Sequence, residues 1–216
     1  NITTKEYTIK MDKTAPTTPT SMNFVFGNWS QYTDNTWTNQ SIYAASTTSN
    51  PGPSGSSDTT SGLWKYQIST DNVNWVDYNY TASGIYLMST DGVHTRYFRA
   101  VDNAGNVSSI ISRTAKVDKT APTFTVRTTN AEIVEQTNIT TLTYFNSPTY
   151  SISGGSISCN PVNTASLDVG TRTLTCTAVG GNGLKTQAHT TVLVESLPNP
   201  PVLYANMVPI KYENNK

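Results

Sequence analysis

Three groups of side chains in this 216-residue sequence could do chemistry. The first is rich in oxygen. Asp102, Asn103 and Asn106 fall in one short stretch, and Asp12 and Asp118 each open a copy of the hexapeptide Asp-Lys-Thr-Ala-Pro-Thr. Hard cations take six to eight oxygen ligands. Asp102 and Asp118, completed by backbone carbonyls, are therefore the candidate calcium ligands. The spacing is not that of an EF-hand loop, and the same residues are turn formers: Asp and Asn bond back to nearby amides, and Gly105 supplies a positive φ. The second group is aromatic. Trp29, Trp37, Trp64 and Trp75 stand among twelve tyrosines. Trp29 and Tyr32 lie outside clear strand patterns, which makes them the candidate surface for stacking a glycan. The competing reading is that these rings fill a core or cover a sheet edge. The third group is Cys159 and Cys176. Two cysteines without a histidine cluster are too few for zinc, and they fit either one disulfide or two buried thiols.

Nothing in the sequence frames a catalytic centre. No nucleophile elbow, HExxH or P-loop occurs. Carboxylates are numerous enough for a glycosidase pair but sit in no recognisable arrangement. His94, beside Arg96, reads as a surface strand residue, and no motif points to a Lys–Asn crosslink. The expectation is a chain that is not an enzyme and has no cofactor beyond calcium. Charge excludes more. Fourteen basic residues balance fourteen acidic ones, and only 13% of the chain is charged. No basic stripe marks a nucleic-acid surface. Apolar runs stop far short of the ~18–20 residues that span a bilayer. The opening residues lack a basic n-region followed by an apolar stretch, so any export signal and anchor are expected outside this sequence.

The elements that must position these groups are strands. Met22–Phe26, Trp37–Ala45, Leu63–Thr70, Trp75–Tyr78, Ile85–Met88, Tyr97–Val101 and Val107–Val117 carry short apolar patterns separated by turn residues, with no helical period. Residues 46–62 are almost wholly Ser, Thr, Gly and Pro and read as a long surface loop. Further on, 123–127, 132–135, 142–145, 149–152, 157–159, 173–178 and 190–194 read as a second set of strands. The repeated hexapeptide stands at Asp12–Thr17 and Asp118–Thr123, one domain apart, and its proline makes an extended, semi-rigid join. The boundaries that follow are a terminal strand of a preceding repeat, or a tail, at 1–12; sandwiches at 13–118 and 119–196; and a Pro-rich linker at 197–216. That last segment holds one strand-like run, Met207–Tyr212, and is expected to begin a further segment. The expected fold is all-β: two tandem immunoglobulin-like antiparallel β-sandwiches joined by a short Pro-containing linker.

Two resemblances refine this. Leu63–Tyr78, the stretch Thr90–Ser108 with its most specific part at Arg99–Ser108, and the Val-Asp-x-Thr-Ala-Pro join resemble a bacterial immunoglobulin-like repeat. Ser158–Pro161, Leu167–Ala178 and Val192–Val194 resemble a hyalin repeat, with a departure at Gly180–Gly183, where that family has an Asp before Gly-Asn. The second resemblance implies that Cys159 and Cys176 sit on neighbouring strands and are oxidised, which would contribute ~3 kcal/mol through loop closure. Together they imply a non-catalytic spacer or adhesion segment of a bacterial surface or secreted protein. Its partners would be neighbouring immunoglobulin-like modules and a host or cell-surface glycan or protein. The alternative is an accessory carbohydrate-binding module of an extracellular enzyme.

Overall fold

The structure is a computed structural model that describes residues 4–44, 52–79 and 86–198. The expected run Met207–Tyr212, residues 46–51 of the polar loop and Ile85 lie outside the described residues. Among those described, no helix is long and apolar enough to cross a membrane.

The fold is all-β and falls around two cores. In the first, β1 (Val25–Phe26), β3 (Ile42–Tyr43) and β6 (Leu87–Met88) form one sheet. The facing sheet runs β2 (Trp37–Thr38), β8 (Ile111–Val117), β7 (Gly92–Asp102), β4 (Leu63–Ser69), β5 (Val76–Asp77). Alternation builds this layer. Phe98 and Ala100 on β7 are buried while the alternating Tyr97 and Arg99 are partly exposed. Ile68, Ala115 and Val117 face the same core, together with Phe24, Ile42 and Met88. Burying each large apolar side chain contributes roughly 1.5–3 kcal/mol. The outward face is closed by its own pairs. Asp77 accepts from Lys65 and Gln67, Gln67 accepts from Arg99, and the Arg99 guanidinium lies 4.2 Å from the Trp75 ring centre.

The second core lies under a four-stranded sheet ordered β10 (Gly155–Asn160), β11 (Gly170–Gly180), β12 (Lys185–Glu195), β9 (Ala131–Val134). Leu174, Cys176 and Ala178 are buried, alternating with Thr173, Thr175 and Thr177. Cys159 and Cys176 stand directly opposite each other on β10 and β11 and are joined by a disulfide. The link ties the edge strand to its neighbour.

Several expectations need correction. Each main sheet has one parallel pairing, β2 with β8 and β9 with β12, where the sequence suggested antiparallel pairs throughout. The expected strand Trp37–Ala45 divides between the two sheets. The Gln40 amide donates to the Thr38 hydroxyl (3.1 Å), a local bond that competes with the ladder where the chain crosses over. Leu142–Phe145 is not a strand: Thr141–Tyr144 is a 3-10 turn that buries Thr141 and Tyr144. The layer facing the second sheet is held by isolated bridges, such as Thr123 with Thr149 and Val126 with Phe145. The described end of the polar loop is not wholly exposed. Pro53 is buried, and the Ser54 amide donates to Ser21 (3.1 Å), so the loop packs on the linker before the first sandwich.

Candidate functional site: the two module junctions

The second hexapeptide is gripped from both sides. From the first module, the Asp118 amide donates to Thr38 (2.9 Å) and the Lys119 amide to Asp91 Oδ1 (2.6 Å). The Thr120 hydroxyl donates to Asp91 Oδ2 (2.7 Å). From the second module, Asn182 Nδ2 donates to the carbonyls of Asp118 (2.8 Å) and Thr120 (2.9 Å). Asp118 Oδ2 accepts from the Ser151 hydroxyl and from the Ser153 amide (3.2 Å). Asn39 reaches across to the Asn182 carbonyl (3.3 Å). Asp118 is fully buried and Asn182 is 5% exposed. Burial pushes the Asp118 carboxyl up, but the Ser151, Ser153 and Thr120 donors outweigh it and hold the group below the usual carboxylate range.

The first hexapeptide repeats half of this arrangement. Asp12 Oδ1 accepts the Thr14 amide (2.9 Å), just as Asp118 Oδ1 accepts that of Thr120 (3.1 Å). Asn106 Nδ2 donates to the carbonyls of Asp12 and Thr14, both at 3.2 Å. These are the counterparts of the carbonyls that Asn182 holds. The amide after each linker proline bonds back in the same way, Thr17 to Ser57 and Thr123 to Thr149, each at 2.9 Å. The two asparagines come from equivalent hairpin turns. Asp102 donates its amide to Asn106 and accepts from Gly105; Gly180 donates to Leu184 and accepts from Gly183. Gly105 at φ 91° and Gly183 at φ 83° make the left-handed step that both turns need.

Chemistry separates the two junctions. Where the first turn has Asp102, the second has Gly180. A side chain at Gly180 would meet Asn182 Oδ1 at 2.5 Å, so the Asn182 clamp requires the glycine. Oxygens of Asp12, Asp58 and Asp102 lie within 4.8 Å of one another. Asp58 is held in place by the amides of Thr60 (3.1 Å), Ser61 (2.8 Å) and Gly62 (2.8 Å). Burial raises the Asp102 carboxyl, as does nearby Asp12, but the Asn106 and Ala104 donors prevail and the net direction is down. Ser61, then Thr14, lowers Asp12. Even so, Asp12 Oδ2 is buried and meets no group with hydrogen-bond geometry. An orphaned buried oxygen needs an explanation.

The candidate calcium pair does not form. β7 and β8 are antiparallel with Gly92 opposite Val117, so Asp118 leaves β8 at the end where β7 begins. Asp102 closes β7 at the far end, roughly 30 Å away at ~3.3 Å per residue. The structure brings Asp102 together with Asp12 and Asp58 instead. Tyr32 is likewise no surface ligand. It is 2% exposed, donates to the Thr36 carbonyl and accepts the Lys116 amide (3.0 Å), lacing the segment after β1 onto β8. Trp29 is 49% exposed, as expected. Sequence reasoning missed Asp58 and Asn182. Asp58 heads a turn-forming Asp-Thr-Thr-Ser-Gly run, and Asn182 sits in the Gly180–Gly183 departure; these were their only signals.

No protein-family profile matches the chain, and no curated protein matches it. Among solved structures, it is similar to the fibronectin(III)-like modules of Clostridium thermocellum CbhA, at 8% identity over 74% of this chain and 88% of that one, with a TM-score of 0.34. Drosophila N-cadherin EC1-3 is 15% identical over 85% of this chain and 68% of that one (TM-score 0.28). The Bacteroides ovatus glucan-utilization protein SGBP-B, solved with a mixed-linkage heptasaccharide, is 10% identical over 90% and 70% (TM-score 0.18). All three likenesses are distant, and the fold stands on the strand pairing described above.

Proposed function

We propose that this chain is a non-catalytic spacer segment of a bacterial cell-surface or secreted multidomain protein. Its first sandwich is of the bacterial immunoglobulin-like repeat type and its second of the hyalin-repeat type. The observation that carries the reading is the two-sided grip on Asp118–Thr120. Inter-domain motion is the default when contacts between modules are few. A linker pinned by a carboxylate on one side and an asparagine on the other has little hinge freedom. The Asn106 bonds to Asp12 and Thr14 apply half of that grip at the first junction. The other half belongs to a neighbouring module. Ile9 and Met11, at 82% and 71% exposure, occupy the sequence positions of Ala115 and Val117, which are fully buried. Their alternation suits a strand in the core of such a neighbour. The disulfide suits an oxidising compartment.

Calcium is the implied cofactor, and the first junction fits it. Asp12, Asp58 and Asp102 would hold the ion, with the orphaned Asp12 Oδ2 as one ligand. A divalent cation there would supply positive charge against the three carboxylates. The residues themselves tie linker, loop and hairpin turn together. Spin labels placed singly on each module, at Ser112 and Thr171, test the spacer reading through their distance distribution. A narrow distribution that broadens in Asn182→Ala is expected. A parent distribution already as broad as the variant's would sink the reading.

A further inference from the structure

The hairpin after β1 holds a feature that the junctions do not use. Phe26, Gly27, Trp29 and Tyr43 line a cleft of about 200 Å³. Its walls are fixed. The Phe26 amide donates to Ser30 and the Trp29 amide to Phe26, both at 2.9 Å. Asn28 Oδ1 accepts the Ser30 amide (3.0 Å) and hydroxyl (2.6 Å), closing the turn from inside. The Phe26 ring packs edge-on against buried Tyr32, with centroids 5.7 Å apart. β1 and β3 pair Val25 with Tyr43, which sets Tyr43 beside the turn.

Trp29 itself is held at φ 66°. A bulky residue in the left-handed region is strained, and such strain persists where the surrounding structure imposes it and is found at functional sites. Here the turn sets Trp29 half exposed at the cleft wall.

We propose that the Phe26–Trp29–Tyr43 cleft binds one ring of a neutral, β-linked pyranose chain. Size, charge and shape each support this occupant. A cavity of ~150 Å³ accommodates benzene, so 200 Å³ takes a single six-membered ring. Among the described residues, no Asp, Glu, Lys, Arg or His lines the cleft, which favours an uncharged ligand over a uronate or a phosphate. Aromatic faces are electron-rich and attract weakly positive C–H groups. An all-equatorial pyranose presents axial C–H bonds on both faces, and β-linkage keeps successive rings extended, so that a chain can leave a shallow cleft without colliding with its rim. This site does not depend on the spacer reading.

The test is a titration of the full chain with cellohexaose, followed by the four tryptophan indole N–H signals in a nitrogen-15 spectrum. A saturable shift of the Trp29 signal alone is expected, with a Kd between about 0.1 and 5 mM. Gly27→Leu is the informative variant. Gly27 does not have a positive φ, and a Cβ there would touch only the Tyr43 ring edge at 3.8 Å, so the side chain fills the cleft without straining the turn. It should weaken binding at least about tenfold, a change of ~1.4 kcal/mol, with the rest of the spectrum unchanged. Trp64→Ala, which removes another exposed indole, should bind as the parent does. The proposal is overturned if the Trp29 signal does not saturate by about 10 mM or if Gly27→Leu binds equally well. Preference for maltohexaose, for polygalacturonate or for a proline-rich peptide over cellohexaose would also overturn it.

Discussion

The first junction gathers three carboxylates where the second buries one. Both use the same hexapeptide, the same Asp-to-Thr amide bond and the same pair of clamped carbonyls. They differ in how the linker carboxylate is satisfied. Asp118 Oδ2 finds the Ser151 hydroxyl and the Ser153 amide. Asp12, grouped with Asp58 and Asp102, keeps an Oδ2 that meets no group with hydrogen-bond geometry. One linker carboxylate is satisfied by protein donors, and the other keeps an oxygen without a hydrogen-bonded partner, where the proposed calcium would act. The difference teaches that a repeated linker sequence does not fix how a joint is stabilised. The hairpin and loop that receive it decide.

Four experiments break or sharpen this contrast. The largest effect expected is from calcium. At about a hundredfold excess over Kd, the melting temperature of the first module should rise by roughly 10 °C over the chelated protein. Asp58→Asn should abolish the rise, and the second module should not respond in either case. Equal responses from both modules would remove the contrast. Next comes Asn182→Ala, which strips the donors from two carbonyls at a buried site. A loss of about 2 kcal/mol or more is expected, seen as a drop of roughly 10 °C in the melting of the second module. Asn106→Ala should cost about half as much, because its two linker bonds are longer and more exposed. Ser151→Ala leaves Asp118 Oδ2 with the Ser153 amide alone, and calorimetry should record about 1 kcal/mol. Acid gives the smallest and most gradual change. Asp12, Asp102 and Asp118 all titrate below the ordinary range. The folded form therefore binds fewer protons than the unfolded one below a pH of ~4. Melting should be level from neutral pH down to about 5 and then fall as pH drops through that ordinary value. Asp118→Asn should flatten the fall for the second module only.

Much of this was legible in the sequence. The repeated hexapeptide marked both junctions, and short apolar runs between turn residues marked β4, β7, β8 and parts of β11 and β12, although of the alternating Trp64, Tyr66 and Ile68 on β4 only Ile68 is buried. What escaped was whatever depends on three-dimensional equivalence. Asn106 and Asn182 stand at the fifth and third positions of matching turns, so no alignment by spacing pairs them. Asp58 sits in a stretch whose Ser and Thr content hides a turn built around its own carboxylate. The Asp102–Asp118 pairing failed because residues near in sequence end opposite ends of a hairpin. Tyr32 lies in a polar aromatic stretch, Asn28–Asp34, with no strand pattern, yet its hydroxyl is tied into β8. Leu142–Phe145 is too short for its period to separate a strand from a 3-10 turn.

The central claim is that the second joint is stiff because Asn182 and Asp91 hold the linker between them. Nitrogen-15 relaxation across the full chain tests it most directly. A stiff joint predicts one overall tumbling time shared by both modules in the parent chain. In Asn182→Ala the two should separate into shorter, unequal times. Two distinct tumbling times in the parent, or a single unchanged time in the variant, would contradict the account.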